Sequence, residues 1–325
     1  MDKRTRVLNA FNKREVDHVP VGFWFHFYGE EEKGEAFVKA HLKYYRETDL
    51  DFLKVMSDGY SAFPIPEIRK ASDWKRLKPL AEDHPFIRDQ VERAKAIVKE
   101  IGSERCVFYN VFAPFSFLRA GAETVGLSDQ DVMAHIREDR NAVMHALDAI
   151  AQTGALLSEK LITEAGCDGV YYCVQGGEYG RFTPEEYKAI ISPSDLYVLE
   201  HANRFSDNNI LHMCGWAGNR NQLTVWQDYP SKVVNWAVHV EGLNLEDGRY
   251  FVGGRTTLGG FETHWDGKVQ QGILYTGNKE EVQEYARNII LNHGKIGLML
   301  GGDCTVDARI DWERIRWVVE AARSI

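Results

Sequence analysis

The feature that most constrains the fold is the alternation of eight strand-like segments with helical segments along the 325-residue chain. The strand-like segments are rich in Val, Ile, Phe and Tyr and mostly end in Gly, Asp or other polar residues, which is typical of buried strands. They occupy residues 19–27, 51–58, 106–114, 169–177, 209–216, 232–240, 250–256 and 296–304. Strands that alternate with helices in this way form a parallel sheet.

Eight such units in a chain of this length favour one domain over residues 1–325, a closed (β/α)8 TIM barrel with an N-terminal helical extension. A doubly wound open sheet is the alternative architecture. It loses support because no G-x-G-x-x-G motif follows the first strand and no P-loop occurs in the sequence.

The helix boundaries are marked by residues that commonly cap helices. Polar residues that can accept hydrogen bonds from a helix N-terminus precede the helical segments, and glycines follow several of them. The N-terminal candidates are Asp83, Ser128, Thr183, Asn278 and Asp311, and the C-terminal glycines are Gly102, Gly166 and Gly294.

Charge and composition exclude several classes of partner. The net charge of −9 comes without a visible basic stripe, which argues against nucleic acid as the main partner. No apolar run reaches the ~18 residues that a membrane span needs, and the charged N-terminal segment lacks the apolar region of a signal peptide. We therefore expect a cytoplasmic protein with no membrane partner, while the sequence leaves its oligomeric state open.

In TIM barrels, catalytic and binding side chains lie at the C-terminal ends of the strands. This rule selects, from strand one to strand eight, Trp24 and His26, Asp58, Phe115, Tyr172 with Gln175 and Glu178, His212 and Cys214, His239 and Glu241, Arg255, and Asp303 with Cys304. Because the open end of a barrel is narrow, His212, Cys214 and Cys304 can converge on one point although they are far apart in sequence.

Two thiols and an imidazole at one point suit zinc. Zn²⁺ is held by cysteine sulfur and histidine nitrogen, and three protein ligands leave a position open for a substrate. Two thiolates balance the charge of the ion and weaken its Lewis acidity, which favours alkyl transfer to sulfur over hydrolysis. The alternative is that these residues are packing, since cysteine is often buried as a small hydrophobe. The five cysteines form an odd set without a signal peptide, so a disulfide framework is disfavoured.

Four segments resemble the uroporphyrinogen decarboxylase-like superfamily and, within it, the corrinoid (cobalamin)-dependent methyltransferases. They are "RTRVLNAFNKREVDHVPV", "DFLKVMSDGY", "LHMCG" and "GLMLGGDCTV". The resemblance implies a (β/α)8 barrel and zinc held by His212, Cys214 and Cys304. It also implies that a methyl group comes from, or passes to, a corrinoid that a partner protein or a free molecule supplies.

The sequence departs from true uroporphyrinogen decarboxylases at two places. The arginine-rich segment expected after the first strand is replaced by aromatic and acidic "FWFHFYGEEEKGE", and Asp303-Cys304 stands where those enzymes have a Gly-His pair. A substrate with many carboxylates would meet few cations here, so porphyrin decarboxylation is disfavoured. The resemblance to the methyltransferases implies, for some of them, a further carboxylate ligand near strand six. Here that strand has Ala237 and Val238, with His239 and Glu241 nearby. The fourth zinc ligand is therefore left open, with His239 ranked above Glu241 and a surface histidine as the alternative.

The remaining candidates have weaker signals. Asp58 and Glu178 are candidate catalytic carboxylates, with a turn cap and an exposed loop carboxylate as their alternatives. The candidate substrate-binding residues are Trp24, His26, Phe115, Tyr172, Gln175, Arg255 and Asp303, although aromatic residues at such positions are as often barrel core. Cys106, Cys167 and Cys173 are interpreted as packing residues.

These features predict a zinc-dependent methyltransferase that moves a methyl group between a corrinoid and a thiol or a small methylated substrate. Two alternatives stay open, a metal-free decarboxylase of related fold and a barrel that binds a small ligand without turnover. A metal assay distinguishes the decarboxylase from the zinc-dependent methyltransferase, because a decarboxylase of this kind needs no metal.

Overall fold

The computed structural model describes residues 1–215, 218–264 and 270–325. Its eight strands are β1 Val21–Gly22, β2 Phe52–Val55, β3 Cys106–Phe112, β4 Gly169–Val174, β5 Ile210–Met213, β6 Val233–Trp236, β7 Thr256–Phe261 and β8 Leu298–Gly302. Every pair of hydrogen-bonded neighbours is parallel.

The strand order shows that the sheet is the wall of a barrel. Its order is β1-β8-β7-β6-β5-β4-β3-β2, so each strand lies beside its sequence neighbour and β8 returns to β1. The last gap is spanned by the backbone N–H of Asp51, which donates to the carbonyl of Val21 at 3.0 Å. The predicted (β/α)8 barrel is therefore confirmed.

Helices follow the strands as the alternation predicts. They are α1 Lys3–Phe11, α2 Gly34–Thr48, α3 Pro85–Ile101, α4 Pro114–Thr124, α5 Asp129–Glu138, α6 Arg140–Thr163, α7 Pro184–Ile190, α8 Ser192–Asn203, α9 Val238–Glu241, α10 Leu245–Phe251, α11 Ile273–Thr276, α12 Lys279–His293 and α13 Trp312–Arg323. Ser128, Thr183 and Asn278 form capping boxes at α5, α7 and α12. Within the described ranges, none of these helices combines the length and apolar character needed to cross a bilayer.

Two predicted strands differ from the structure. The segment 232–240 is a strand only at Val233–Trp236, since α9 begins at Val238 and contains His239. The segment 250–256 was expected to be strand seven, but β7 begins only at Thr256, because α10 runs to Phe251 and two glycines follow in a turn. Gly253 and Gly254 adopt φ values of 67° and 74°, a left-handed conformation that interrupts a strand. The last residue of the fifth predicted segment, Trp216, lies outside the described residues.

The N-terminal helix closes one end of the barrel. Val7, Ala10 and Phe11 of α1 pack against the barrel-interior residues Phe52 and Phe108. The rings of Phe11 and Phe108 stack with centroids 5.2 Å apart. The N-terminal ends of the strands are thus covered by apolar side chains, so the polar cluster described below lies at the opposite, C-terminal ends.

Candidate metal centre

Two sulfur atoms and an imidazole meet at the C-terminal ends of β5 and β8. The Sγ atoms of Cys214 and Cys304 are 4.0 Å apart, although 90 positions separate them in sequence. The Nε2 atom of His212 lies 3.6 Å from the Sγ atom of Cys304. The structure therefore brings together the three residues that the sequence analysis assigned to zinc.

A further sulfur atom, that of Cys173, lies beside His212 and Cys214. One ligand atom from each of Cys173, His212 and Cys214 lies within 4.8 Å of the other two. Cys173 is directly opposite His212 in the pairing of β4 with β5. The sequence analysis had interpreted Cys173 as packing. The signal that could have found it is its position at the end of a strand, two residues before the site candidate Gln175.

The orientation of His212 is set by one buried amide. The Asn235 side chain donates from Nδ2 to the carbonyls of Leu258 at 2.8 Å and Gly302 at 3.2 Å. Its Oδ1 atom therefore faces Nδ1 of His212, which must carry the proton and donate it. The Nε2 atom is left with a free lone pair on the side of the sulfur atoms. Sequence reasoning missed Asn235, which carries no motif.

The thiols of Cys214 and Cys304 are held in their neutral form by their neighbours and by burial. The neighbouring Cys173 raises the pKa of the Cys214 thiol well above its usual range, and burial adds to this. Cys214 and burial together raise the pKa of Cys304 to about 12. Crowded, buried thiols lose their protons readily only beside a strong positive charge. The donor set of three sulfurs and one nitrogen thus fits a thiophilic cation such as zinc.

Gln175 links the cluster to a cavity. Its Nε2 donates to the Sγ atom of Cys214 at 3.6 Å, and its backbone carbonyl oxygen lies 3.0 Å from the hydroxyl of Tyr187. The same side chain lines a cavity of about 150 Å³, together with Ser61, Phe112, Ser116, Arg119, Ala120 and Glu123. Space for a small substrate therefore lies one side chain away from the sulfur atoms.

Two further candidates, His26 and Asp58, form a pair. The Nδ1 atom of His26 lies 2.6 Å from Oδ1 of Asp58, and the other carboxylate oxygen accepts from the backbone N–H of Phe27 at 2.9 Å. Asp58 is buried, whereas His26 is half-exposed. The pair lies after β1 and β2, at the same end of the barrel as the sulfur cluster.

Glu178 is buried rather than exposed, which contradicts the loop-carboxylate alternative. Its oxygens accept from Arg119 at 3.1 Å and from Arg181 at 2.8 Å. Both guanidinium groups also pair with Asp129. Glu178 is therefore one member of a four-residue ion-pair network next to the cavity.

The structure does not place the predicted aromatic wall at the cluster. The Tyr172 hydroxyl donates to the carbonyl of Asp195 at 2.9 Å, and Phe115 packs on Phe182 with centroids 5.8 Å apart. Both belong to the layer between sheet and helices. Trp24 does lie inside the barrel, where its ring is 5.1 Å from that of Tyr171. The inward tyrosine of β4 is Tyr171, because side chains alternate faces along a strand.

The two candidates for a fourth ligand have other partners. Nδ1 of His239 lies 2.7 Å from Oδ2 of Asp303, and its Nε2 lies 3.1 Å from the hydroxyl of Tyr285. The carboxylate of Glu241 accepts three hydrogen bonds from Asn221. Asp303 thus holds His239 instead of lining the cluster with a free oxygen.

Arg255 lies at the opposite end of the barrel. It precedes β7 rather than ending a strand, and its guanidinium donates to the carbonyls of Val252, Tyr229 and Gln227. The expected position at a C-terminal strand end was wrong because β7 starts one residue later.

Comparison with known proteins agrees with this architecture. A methyltransferase from Methanosarcina mazei is similar in structure, with a TM-score of 0.70 and 15% identity over 100% of this chain and 98% of that chain. A B12-independent methionine synthase from Shewanella sp. W3-18-1 has a TM-score of 0.51 and 12% identity over 95% and 94%. At these identities the likeness concerns the fold, and no curated protein gives a significant match.

The sequence itself matches one family. The sequence profile described as "Uroporphyrinogen decarboxylase (URO-D)" matches residues 53–325, which include every strand except β1 and the first residue of β2. This chain therefore belongs to the uroporphyrinogen decarboxylase family.

Proposed function

We propose that this protein is a zinc-dependent methyltransferase that moves a methyl group between a corrinoid and a thiol or a small methylated substrate. The observation that carries the proposal is the convergence of the Cys214 and Cys304 sulfurs with Nε2 of His212. The lone pair of this imidazole points into the cluster because Asn235 fixes the tautomer. A purely structural packing role would not require that orientation.

The residues that would hold the ion are His212, Cys214 and Cys304, with Cys173 as the fourth donor. Cys173 replaces His239 and Glu241 in that role because its sulfur belongs to the cluster. Because four protein donors would leave no open position, an incoming thiol would take the place of Cys173. Zinc would then supply the Lewis acidity that lowers the pKa of that thiol.

Side chains around the cluster suggest how the protein assists the transfer. The amide of Gln175 donates to the sulfur of Cys214 and borders the cavity, so it orients a small substrate beside the sulfur atoms. Asp58 holds Nδ1 of His26, which leaves Nε2 to accept a proton at the barrel mouth. Both oxygens of Glu178 are held by arginines, which suits a role in shaping the cavity wall.

The proposal is tested by metal analysis and a transfer assay on the purified protein. We expect about one zinc per chain, removable by chelation, and thiol-dependent loss of the methyl group from methylcobalamin, followed by visible absorbance. A non-corrinoid methyl donor belongs in the same assay, because one structural relative is named a B12-independent methionine synthase. A purified protein that contains no zinc and catalyses a decarboxylation would instead support the metal-free alternative.

Replacing Asn235 with alanine should lower zinc affinity by roughly 10–100-fold, because the imidazole of His212 loses the acceptor that fixes its tautomer. Competition against a chromophoric chelator measures the change. Asn209→Ala is the matched control, since Asn209 is equally buried but accepts from the backbone of Val170 at the other end of the barrel. Equal affinities for the two variants would contradict the role of Asn235.

A further inference from the structure

A lysine lies inside the barrel, where charged side chains are rare. Lys54 is on β2, and its neighbours at alternate positions, Phe52 and Met56, belong to the barrel-interior cluster. Only 4% of Lys54 is exposed. Its Nζ atom lies 3.8 Å from the ring centroid of Tyr171 and 4.7 Å from that of Trp24. The ammonium therefore rests on two aromatic faces rather than in water.

Burying an ammonium is costly unless a compensating charge is near. Burial lowers the pKa of Lys54 to about 8, and the groups that oppose this are first the cysteines Cys173, Cys304 and Cys214, and then Asp58. The aromatic faces supply part of the compensation through cation–π attraction. Geometry supports this link, because Cys173 follows Tyr171 by two residues on β4 and so shares the inward face on which the ammonium rests.

We propose that the Lys54 ammonium is the built-in counter-charge of a centre with three thiolates, formed by Cys173, Cys214 and Cys304 with His212. This inference rests on the proposed function. A divalent cation with three thiolates and a neutral imidazole carries one net negative charge, whereas two thiolates would leave it neutral. One ammonium on the ring of Tyr171, which shares the inward face of β4 with Cys173, restores neutrality inside a region of low dielectric.

Tyr171 connects the lysine to the imidazole side of the centre. Its ring supports Nζ of Lys54, and its hydroxyl donates to Oδ1 of Asn235 at 2.7 Å. The same oxygen accepts from His212. Lys54 is thus a positioning residue that acts through charge on the ligands, and it has no assigned contact with a substrate.

The test separates charge from packing by comparing Lys54→Met with Lys54→Arg. Methionine keeps the length of the side chain without the charge, and arginine keeps the charge. We expect Lys54→Met to bind zinc roughly tenfold more weakly or worse in chelator competition, while Lys54→Arg recovers most of the affinity. The metal-free Lys54→Met protein should melt no lower than the wild type, because it no longer buries an ammonium.

Trp24→Phe is the packing control, since it disturbs the same part of the barrel interior but keeps the ammonium. It should lower the melting temperature and leave zinc affinity within about threefold. Equal zinc affinity in the wild type and Lys54→Met would overturn the counter-charge proposal, and so would equal losses in Lys54→Met and Lys54→Arg. A wild-type protein that binds no zinc would instead overturn the proposed function itself.

Discussion

Replacing Cys304 with serine is expected to lower zinc affinity by at least about a hundredfold, because a neutral hydroxyl replaces a thiolate in the ligand set. Cys304 is the donor that barrel closure brings from β8 to the residues of β5, with its sulfur 3.6 Å from the imidazole and 4.0 Å from Cys214. Elemental analysis after gel filtration, together with the cobalt-to-thiolate absorption of the cobalt-substituted protein, measures the loss. Methyl transfer to a thiol should disappear in parallel.

The matched control for this experiment is Cys106→Ser. Cys106 is fully buried, but it is the first residue of β3, at the other end of the barrel. Its thiol contacts the backbone carbonyl of Arg4 at 3.8 Å. We expect this variant to keep its metal. Loss of zinc from both variants would point to general unfolding, and retention by both would refute the assignment of the centre.

The free energy of unfolding should fall by on the order of 3 kcal/mol between about pH 5 and pH 8 because of one buried carboxyl group, Asp195. This side chain is fully buried, and its Oδ2 accepts from the hydroxyls of Tyr187 at 3.0 Å and Tyr229 at 3.1 Å. Among the residues that the structure describes, its Oδ1 has no hydrogen-bond partner. Burial raises the pKa of Asp195 to about 8, against a usual value of 3.8.

The sign follows from proton counting. Between these two pKa values the folded protein holds a proton on Asp195 that the unfolded chain has released, so raising the pH favours unfolding. Asp195→Asn imitates the neutral acid and should flatten this part of the profile, with a higher melting temperature at pH 8 than the wild type. Asp207→Asn, at an exposed position, should leave the profile unchanged. A wild-type profile that rises from pH 5 to pH 8 and responds equally to both substitutions would contradict the account of Asp195.

The elements of the fold could be predicted because their signals are local. The capping boxes at Ser128, Thr183 and Asn278 depend on hydrogen bonds between residues three apart, which the sequence displays directly. The strand at β7 was misplaced because an aromatic and valine run before two glycines resembles a strand in composition. Its residues belong to the end of α10 and a turn.

The candidate site was predictable only in part. His212 and Cys214 are two apart at a strand end, and Cys304 follows the last strand, so the barrel rule was sufficient to propose that they meet. The positions of Cys173 and Tyr172 could not be predicted for one reason: the sequence does not say which face of β4 turns inward. In the structure Tyr171 and Cys173 face the interior, and Tyr172 faces the helices.

The sequence by itself determined the alternation of strands and helices, the ends of most helices and the residue types available for a soft metal site. Tertiary structure alone decided the contacts that join distant parts of the chain, such as the 4.0 Å approach of Cys214 to Cys304 and the hydrogen bond of Asn235 to His212. It also decided that the buried Lys54 rests on the ring of Tyr171. The physical reason is that propensity and capping act over a few residues, whereas these distances depend on how eight strands close into one barrel.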